Sequence, residues 1–265
     1  MIVKVNLLGV EIDNLSFAEA VDRVIQLARG PGTSFVVTPN VDHLMRHRRD
    51  PRFRAVYADA NLVLADGVPL LWASRLIRNR LKEKVSGSDL VPRLCARAAE
   101  SGLSIYFLGG KPGAAERCAA GLVQQYPGLR VAGCSCPPFG FEKDATINGG
   151  VIAAVRDARP DILFVGLGAP KQELWIQRHR EELGVPVALG IGASIDFLGG
   201  AEKRAPRWMQ RVGLEWSYRL MRQPRRMWKR YLIDDAPFFL HVLAQALGRR
   251  PAYARSEVGT STTTR

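Results

Sequence analysis

The sequence predicts an α/β fold, a Rossmann-like and mainly parallel sheet flanked by helices, with a basic helical C-terminal appendage. Short apolar runs that end in small residues alternate with segments whose apolar positions recur at helical spacing. After Ala201 that rhythm stops, and Arg and aromatic residues crowd together with no further strand. The expected organisation is therefore a core over 1–200, a basic aromatic appendage over 201–250 and a disordered tail over 251–265, whose small polar residues show no periodicity.

The opening residues MIVKVNLLGVEIDNLS break their apolar character with Lys4, Asn6, Glu11 and Asp13, so they lack the apolar core of a secretory signal and imply cytoplasmic synthesis without export. FAEAVDRVIQLARG then reads as an amphipathic helix, and SFVVTPN as a strand. NLVL is a further strand end. LVPRLCARAAESG, AAERCAAGLVQQYPG and KQELWIQRHREELG are helices with Gly at or near their ends. They alternate with the strands LSIYFLGG, DILFVGLG and PVALGIGA. In open sheets of this kind the ligand sits outside the carboxyl ends of the strands, so the residues just after each strand are the first place to look for chemistry.

Two of these junctions are rich in glycine. Gly109, Gly110, Lys111, Pro112 and Gly113 lead from a strand into a helix, with Pro112 suited to the first helical turn. Gly166, Gly168, Pro170, Lys171 and Gln172 repeat the design and add a cation and an amide at the helix start. Backbone N–H groups at such helix starts suit a nucleotide diphosphate. A single such turn is better explained by the steric need for glycine; two with polar additions favour binding. Neither matches the dinucleotide fingerprint or the phosphate loop of nucleotide triphosphatases, which disfavours a dehydrogenase or ATPase.

Thr38 and Asn40 follow one strand and Asp66 another, so their side chains are expected in one crevice. Asp66 is the first choice for a general base: although an Asp-Gly pair is more often a turn, its apolar flanks suit a carboxylate of raised pKa. Asp196 is a second candidate, equally open to a packing or capping role, and Asp42 is a candidate helix cap. No Asp-x-Asp occurs, so metal-independent chemistry is expected, with no metal site and no cofactor. Cys95, Cys118, Cys134 and Cys136 read as reduced core and loop thiols.

With 265 residues, 47% of them hydrophobic, the chain can bury one substantial core, and its net charge of +13 favours an anionic partner. The charge concentrates between Lys203 and Arg230, where ten cations face the single acid Glu215 and are interleaved with Trp208, Trp216, Tyr218 and Trp228. Arginine beside Trp and Tyr suits an anionic membrane surface at headgroup level. The best spanning candidate, APFFLHVLAQAL near the carboxyl end, is shorter than the roughly 18 to 20 residues of a spanning helix, so contact is expected to be peripheral, at the inner face of the cell membrane. The rival reading is a non-catalytic nucleic-acid-binding protein. The chain lacks a helix-turn-helix or zinc module, and nucleic acid is not the expected partner.

The motifs TPNVDH, LADGVPL, KVSGSDL, FLGGKPGAAE, VGLGAPKQELWI, GIGASIDFLGG and KRAPRWMQRVGLEWSYRL occur in this order across most of residues 38–231. Together they resemble the WecB/TagA/CpsF family of bacterial glycosyltransferases. The resemblance implies an inverting, metal-independent enzyme that moves N-acetylmannosamine, its uronic acid or glucose from a UDP-sugar to an undecaprenyl diphosphate-linked saccharide, for cell-surface polysaccharide or exopolysaccharide. It places the family's catalytic Asp on Asp66, its active-site Thr on Thr38 and its junction Gln on Gln172. Its lipid diphosphate arginines fall among Arg219, Arg222, Arg225 and Arg226. Lys84 stands where the family commonly has Arg, keeping the charge but losing bidentate recognition. A monomer and a homo-oligomer that hides the appendage both remain open.

Overall fold

The computed structural model describes residues 2–248. The expected tail over 251–265 lies outside the described residues.

Six parallel strands form the central sheet: β3 (Ser34–Val37), β4 (Leu62–Val63), β5 (Ser104–Gly109), β6 (Arg130–Ser135), β7 (Ile162–Gly166) and β8 (Val187–Gly190), in the order β4-β3-β8-β7-β5-β6. They follow a hairpin of β1 (Lys4–Leu7) and β2 (Val10–Asp13), whose strands pair antiparallel. All residues of β3, β5 and β8 are buried, as parallel strands covered on both faces require.

Side chains alternate between the two faces. Phe35, Val37, Tyr106 and Leu108 join one cluster with the hairpin and the helices Val41–Arg49, Pro51–Asp59 and Lys171–Leu183. Val36, Ile105 and Phe107 join the other with the helices Phe17–Arg29, Gly87–Ser101 and Ala114–Gln125.

Local chemistry sets the helix limits. Ser16 and Glu19 form a reciprocal capping box at Phe17–Arg29. Asn40 caps Val41–Arg49 by accepting from the His43 N–H, so the cap is Asn40 and Asp42 sits in the first turn. Gly102 and Gly184 end their helices in the left-handed region. Pro112 departs from expectation: the helix begins at Ala114 behind Gly113, whose φ is 73°, and Pro112 lies in the turn ahead of it. The turn tightens over Lys111 to Ala114 (N···O 2.9 Å), leaving no helical turn for Pro112 to open.

From Arg207 onward the chain is helical, with short helices at Arg207–Arg211, Glu215–Arg222 and Pro224–Lys229, a π-helical turn at Arg230–Asp234, and a last helix at Phe238–Ala246. That last helix returns to the body: Phe238 and Val242 are buried in the first cluster, and Gln245 accepts from the Leu8 N–H (2.8 Å) and donates to the Asn6 carbonyl (2.9 Å). Among the described residues no helix is long and apolar enough to cross a membrane.

Candidate active site

The strand order reverses direction between β5 and β7. The chain leaves β5 for β6 on one side and leaves β7 for β8 on the other. The helices that follow, Ala114–Gln125 and Lys171–Leu183, cover opposite faces, so the two glycine turns part at a topological switch point. They are in close contact: Gly110 N–H donates to the Gly166 carbonyl at 3.0 Å. A Cβ on Gly109 would lie 2.6 Å from the Gly166 oxygen, and Gly109 has φ 101°, so only glycine serves there.

The polar residues of the turns are engaged. Asp196 Oδ1 accepts from the Lys111 backbone N–H at 2.7 Å and so braces the first turn. Lys111 Nζ pairs with Glu202 at 2.8 Å, and Lys171 Nζ pairs with Glu142 at 3.0 Å over the Phe139 ring. Exposed pairs of this kind hold by about 0 to 1 kcal/mol, so a phosphate can displace the carboxylates. Beside Lys111 a cavity of about 290 Å³ is lined by Glu202, Lys203, Arg222 and Gln223. Gln172 is buried, and its amide oxygen accepts from the Gly168 and Gly192 N–H groups.

The backbone of Asp66 runs beside the segment that carries Thr38 and Asn40. The Asp66 N–H donates to the Pro39 carbonyl at 2.7 Å, and Thr38 Oγ1, buried, donates to the Gly190 carbonyl at 3.0 Å. Asn40 Oδ1 also accepts from Arg230 of the π-helical turn at 3.3 Å, and Arg230 lies 3.6 Å from Asp42.

Asp66 is only partly buried as a residue, yet its carboxyl is desolvated. Burial raises its pKa to about 7; Glu215 adds to the rise, and Lys84, Arg219 and Arg204 oppose it. Among the described residues no hydrogen bond or ion pair reaches this carboxyl. That leaves it open to a substrate hydroxyl.

Around it runs a charged chain that sequence reasoning missed. Arg204 grips Asp89 with both guanidinium nitrogens (2.5 and 3.1 Å), Lys84 reaches Asp89 at 3.4 Å, and Glu215 stands 3.5 Å from Arg204. Lys84 is thus part of an ion-pair network, a use in which loss of bidentate geometry matters little. Two signals pointed there: Asp89 in KVSGSDL, and Glu215 as the lone acid in a basic run.

The appendage arginines divide. Arg219 stacks over Phe197 at 5.0 Å and acts on Asp66, whereas Arg222 lines the cavity beside Lys111. Arg225 is exposed in Pro224–Lys229, and the side chain of Arg226 lies outside the described residues. Burial disfavours the thiolate form of the cysteines. Burial pushes the Cys118 thiol up to about 12 and Cys134 to about 11.

A part-buried carboxyl after the edge strand β4 is equipped to take a proton, and the two glycine turns lie at the carboxyl ends of β5 and β7 in the same sheet. Comparison with known proteins gives the reaction class. The chain is 33% identical over 209 residues to an N-acetylglucosaminyldiphosphoundecaprenol N-acetyl-beta-D-mannosaminyltransferase of Bacillus subtilis (strain 168), covering 79% of this chain and 78% of the relative. The Bacillus spizizenii protein of the same name is 34% identical over 199 residues, 75% of each chain. That of Staphylococcus aureus (strain MW2) is 28% identical over 248 residues, 92% of this chain and 93% of the relative. The pattern of the glycosyl transferase WecG/TagA/CpsF family matches residues 5–252, so the chain belongs to that family and is a glycosyltransferase of cell-surface polysaccharide biosynthesis.

Proposed function

We propose that the enzyme transfers N-acetylmannosamine from a UDP-sugar, with inversion and without a metal, to an N-acetylglucosamine-bearing undecaprenyl diphosphate. The names of the relatives supply the sugar and the acceptor. The observation that carries the reading is the Asp66 carboxyl, desolvated and unpaired, with its pKa raised to about 7. A base of that pKa is half ionised near neutrality, where general-base transfer is most effective.

In this scheme the acceptor hydroxyl gives its proton to Asp66 as its oxygen bonds to the sugar carbon. The bond from that carbon to the diphosphate breaks, and the electron pair leaves with the nucleotide. Thr38 and Asn40 line the acceptor side. The turns from Gly109 to Pro112 and from Gly168 to Gln172 receive the donor, with Asp196 fixing the first and Lys111 and Lys171 offsetting the leaving charge. Arg219 and Arg222, with Arg225 and Arg226 further along, face the lipid diphosphate, and residues from 201 onward form the membrane-proximal appendage. Metal independence draws support from the cation-rich surroundings of Asp66, in which Lys84, Arg204 and Arg219 supply positive charge.

The test is a screen of nucleotide sugars against a synthetic lipid diphosphate carrying N-acetylglucosamine, with and without chelator. The expected result is a β-linked disaccharide lipid from UDP-N-acetylmannosamine, unaffected by chelator. Transfer from another donor alone would refute the sugar assignment, and chelator-sensitive transfer the metal-free scheme.

A further inference from the structure

The turns that follow β7 and β8 are joined through one side chain. Gln172 Oε1 accepts from the Gly168 N–H at 3.2 Å and from the Gly192 N–H at 3.0 Å, and its Nε2 donates to Glu173 Oε1 at 2.6 Å. An amide has an acceptor end and a donor end of nearly the same shape. With the ends exchanged, the NH2 group would face two N–H donors with no acceptor between them, which is costly in a buried site. Gly190 has to lack a side chain for the amide to lie there, since a Cβ would sit 2.9 Å from Gln172 Nε2.

Glu173 enforces the same choice from the amide's other end. Burial raises its pKa to about 7, and above that pH the ionised carboxylate only accepts hydrogen bonds, so it takes the amide's nitrogen end and leaves the oxygen for the Gly168 and Gly192 N–H groups. At 1% exposure it is shielded from solvent. His43 backs it, with Nε2 at 3.8 Å and Nδ1 bonded to the Tyr57 hydroxyl at 2.9 Å. Its second oxygen, Oε2, has no hydrogen-bond partner among the described residues, so the bond to Gln172 is the one polar contact that uses it closely.

We infer that Glu173 is a positioning residue for sugar transfer: by accepting from Gln172 it fixes that amide's orientation, and through it the Gly168 turn proposed to receive the donor, together with the Gly192 turn bonded to the same amide oxygen. The inference rests on the proposed placement of the donor at the Gly168 turn. Its chemistry predicts an unusual order among conservative variants. Glu173→Gln drops the charge but keeps an acceptor oxygen at the same reach. Glu173→Asp keeps the charge and withdraws the oxygen by about 1.5 Å, one carbon–carbon bond.

The experiment measures UDP affinity by calorimetry and the donor and acceptor KM values at pH 8, with thermal unfolding as the check on folding. Glu173→Gln is expected within about threefold of wild type. Glu173→Asp is expected to weaken UDP and raise the donor KM about tenfold, the loss typical of one buried hydrogen bond, with the acceptor KM unchanged. In a Gln172→Met background, Glu173→Asp is expected to add less than about twofold, because the two residues act in series. Activity of Glu173→Asp at or above that of Glu173→Gln overturns the inference, as do additive effects in the Gln172→Met background. Should Glu173→Asp not fold, a tenfold or greater loss in Glu173→Gln alone overturns it. Ala169→Arg, which fills the second turn, separates the premises. Unchanged UDP affinity there refutes the donor placement itself, whereas lost affinity there with none lost in Glu173→Asp refutes only the role of Glu173.

Discussion

At the scale of single residues, Asp66 couples activity and stability to pH in opposite senses. Its pKa is raised by burial to about 7 from the ordinary carboxyl range, so the folded chain holds its proton more tightly than the unfolded chain does. Ionising it therefore disfavours the fold: its contribution is most adverse above pH 7 and fades as pH falls toward 4. Transfer, which needs the ionised base, should instead rise with pH through about 7. Asp66→Asn is expected to lower the transfer rate between roughly 100-fold and 10,000-fold. The same variant should melt at a higher temperature than wild type at pH 8, with the gain shrinking as pH falls. Product formation and thermal unfolding across pH 5 to 8 check both. A variant that keeps wild-type transfer removes the base assignment, and one whose stability difference ignores pH removes the buried ionisation. Asp66 was legible in the sequence because a carboxyl directly after an apolar run marks a strand end. Arg204, Asp89 and Glu215 were not, because the contact between Arg204 and Asp89 spans 115 residues and no local spacing encodes it.

At the scale of elements, the glycine turns carry the fold and the site together. Gly109→Ala places a methyl 2.6 Å from the Gly166 oxygen in a backbone conformation that L-residues rarely adopt, and both penalties act. A loss of about 3 kcal/mol in unfolding free energy is expected, measured by denaturant titration; Gly149→Ala, which meets nothing within 4 Å and stands inside a helix, serves as control and should be neutral or stabilising. The helices read from the sequence appear within a few residues of their expected ends: a capping box at Ser16 opens the first, and Gly102 and Gly184 end two others in the left-handed region. The hairpin of β1 and β2 was not read as such: its strands have four residues each and are joined by a turn in which Leu8, at φ 54°, carries no turn signature. β6 also escaped notice, since RVAGCS at the sheet edge is only half buried and offers no apolar run. Pro112 shows the limit of position-specific reasoning. A proline before a helix marks the turn, but Gly113 decides where the helix begins.

At the scale of the whole molecule, the appendage is tied to the body at both ends, which changes how its role is tested. Arg204 binds Asp89 near its start, and Phe238 and Val242 are buried near its end. Removing it at Ala201 would uncover core side chains, and a loss of membrane binding would then report unfolding. The exposed face offers a cleaner perturbation. Met221, Trp228 and Leu240 are 69%, 49% and 70% exposed, and Arg225 is exposed beside them in sequence. If this face meets an anionic bilayer, apolar insertion and charge attraction contribute separately. Trp228→Ser with Leu240→Ser should weaken sedimentation with anionic vesicles at every salt concentration. Arg225→Glu should weaken it roughly tenfold or more at low salt, since each cation near such a surface contributes about 1 kcal/mol, and the deficit should shrink as salt screens the field. Transfer to a soluble short-chain acceptor should survive in the Trp228→Ser, Leu240→Ser variant, which touches neither Asp66 nor the arginines proposed to face the lipid diphosphate, whereas Arg225→Glu should also raise the KM for that acceptor. Equal binding of wild type and both variants would show that this face does not meet the membrane, and preferential binding to duplex DNA over vesicles would favour the nucleic-acid reading of the same charges.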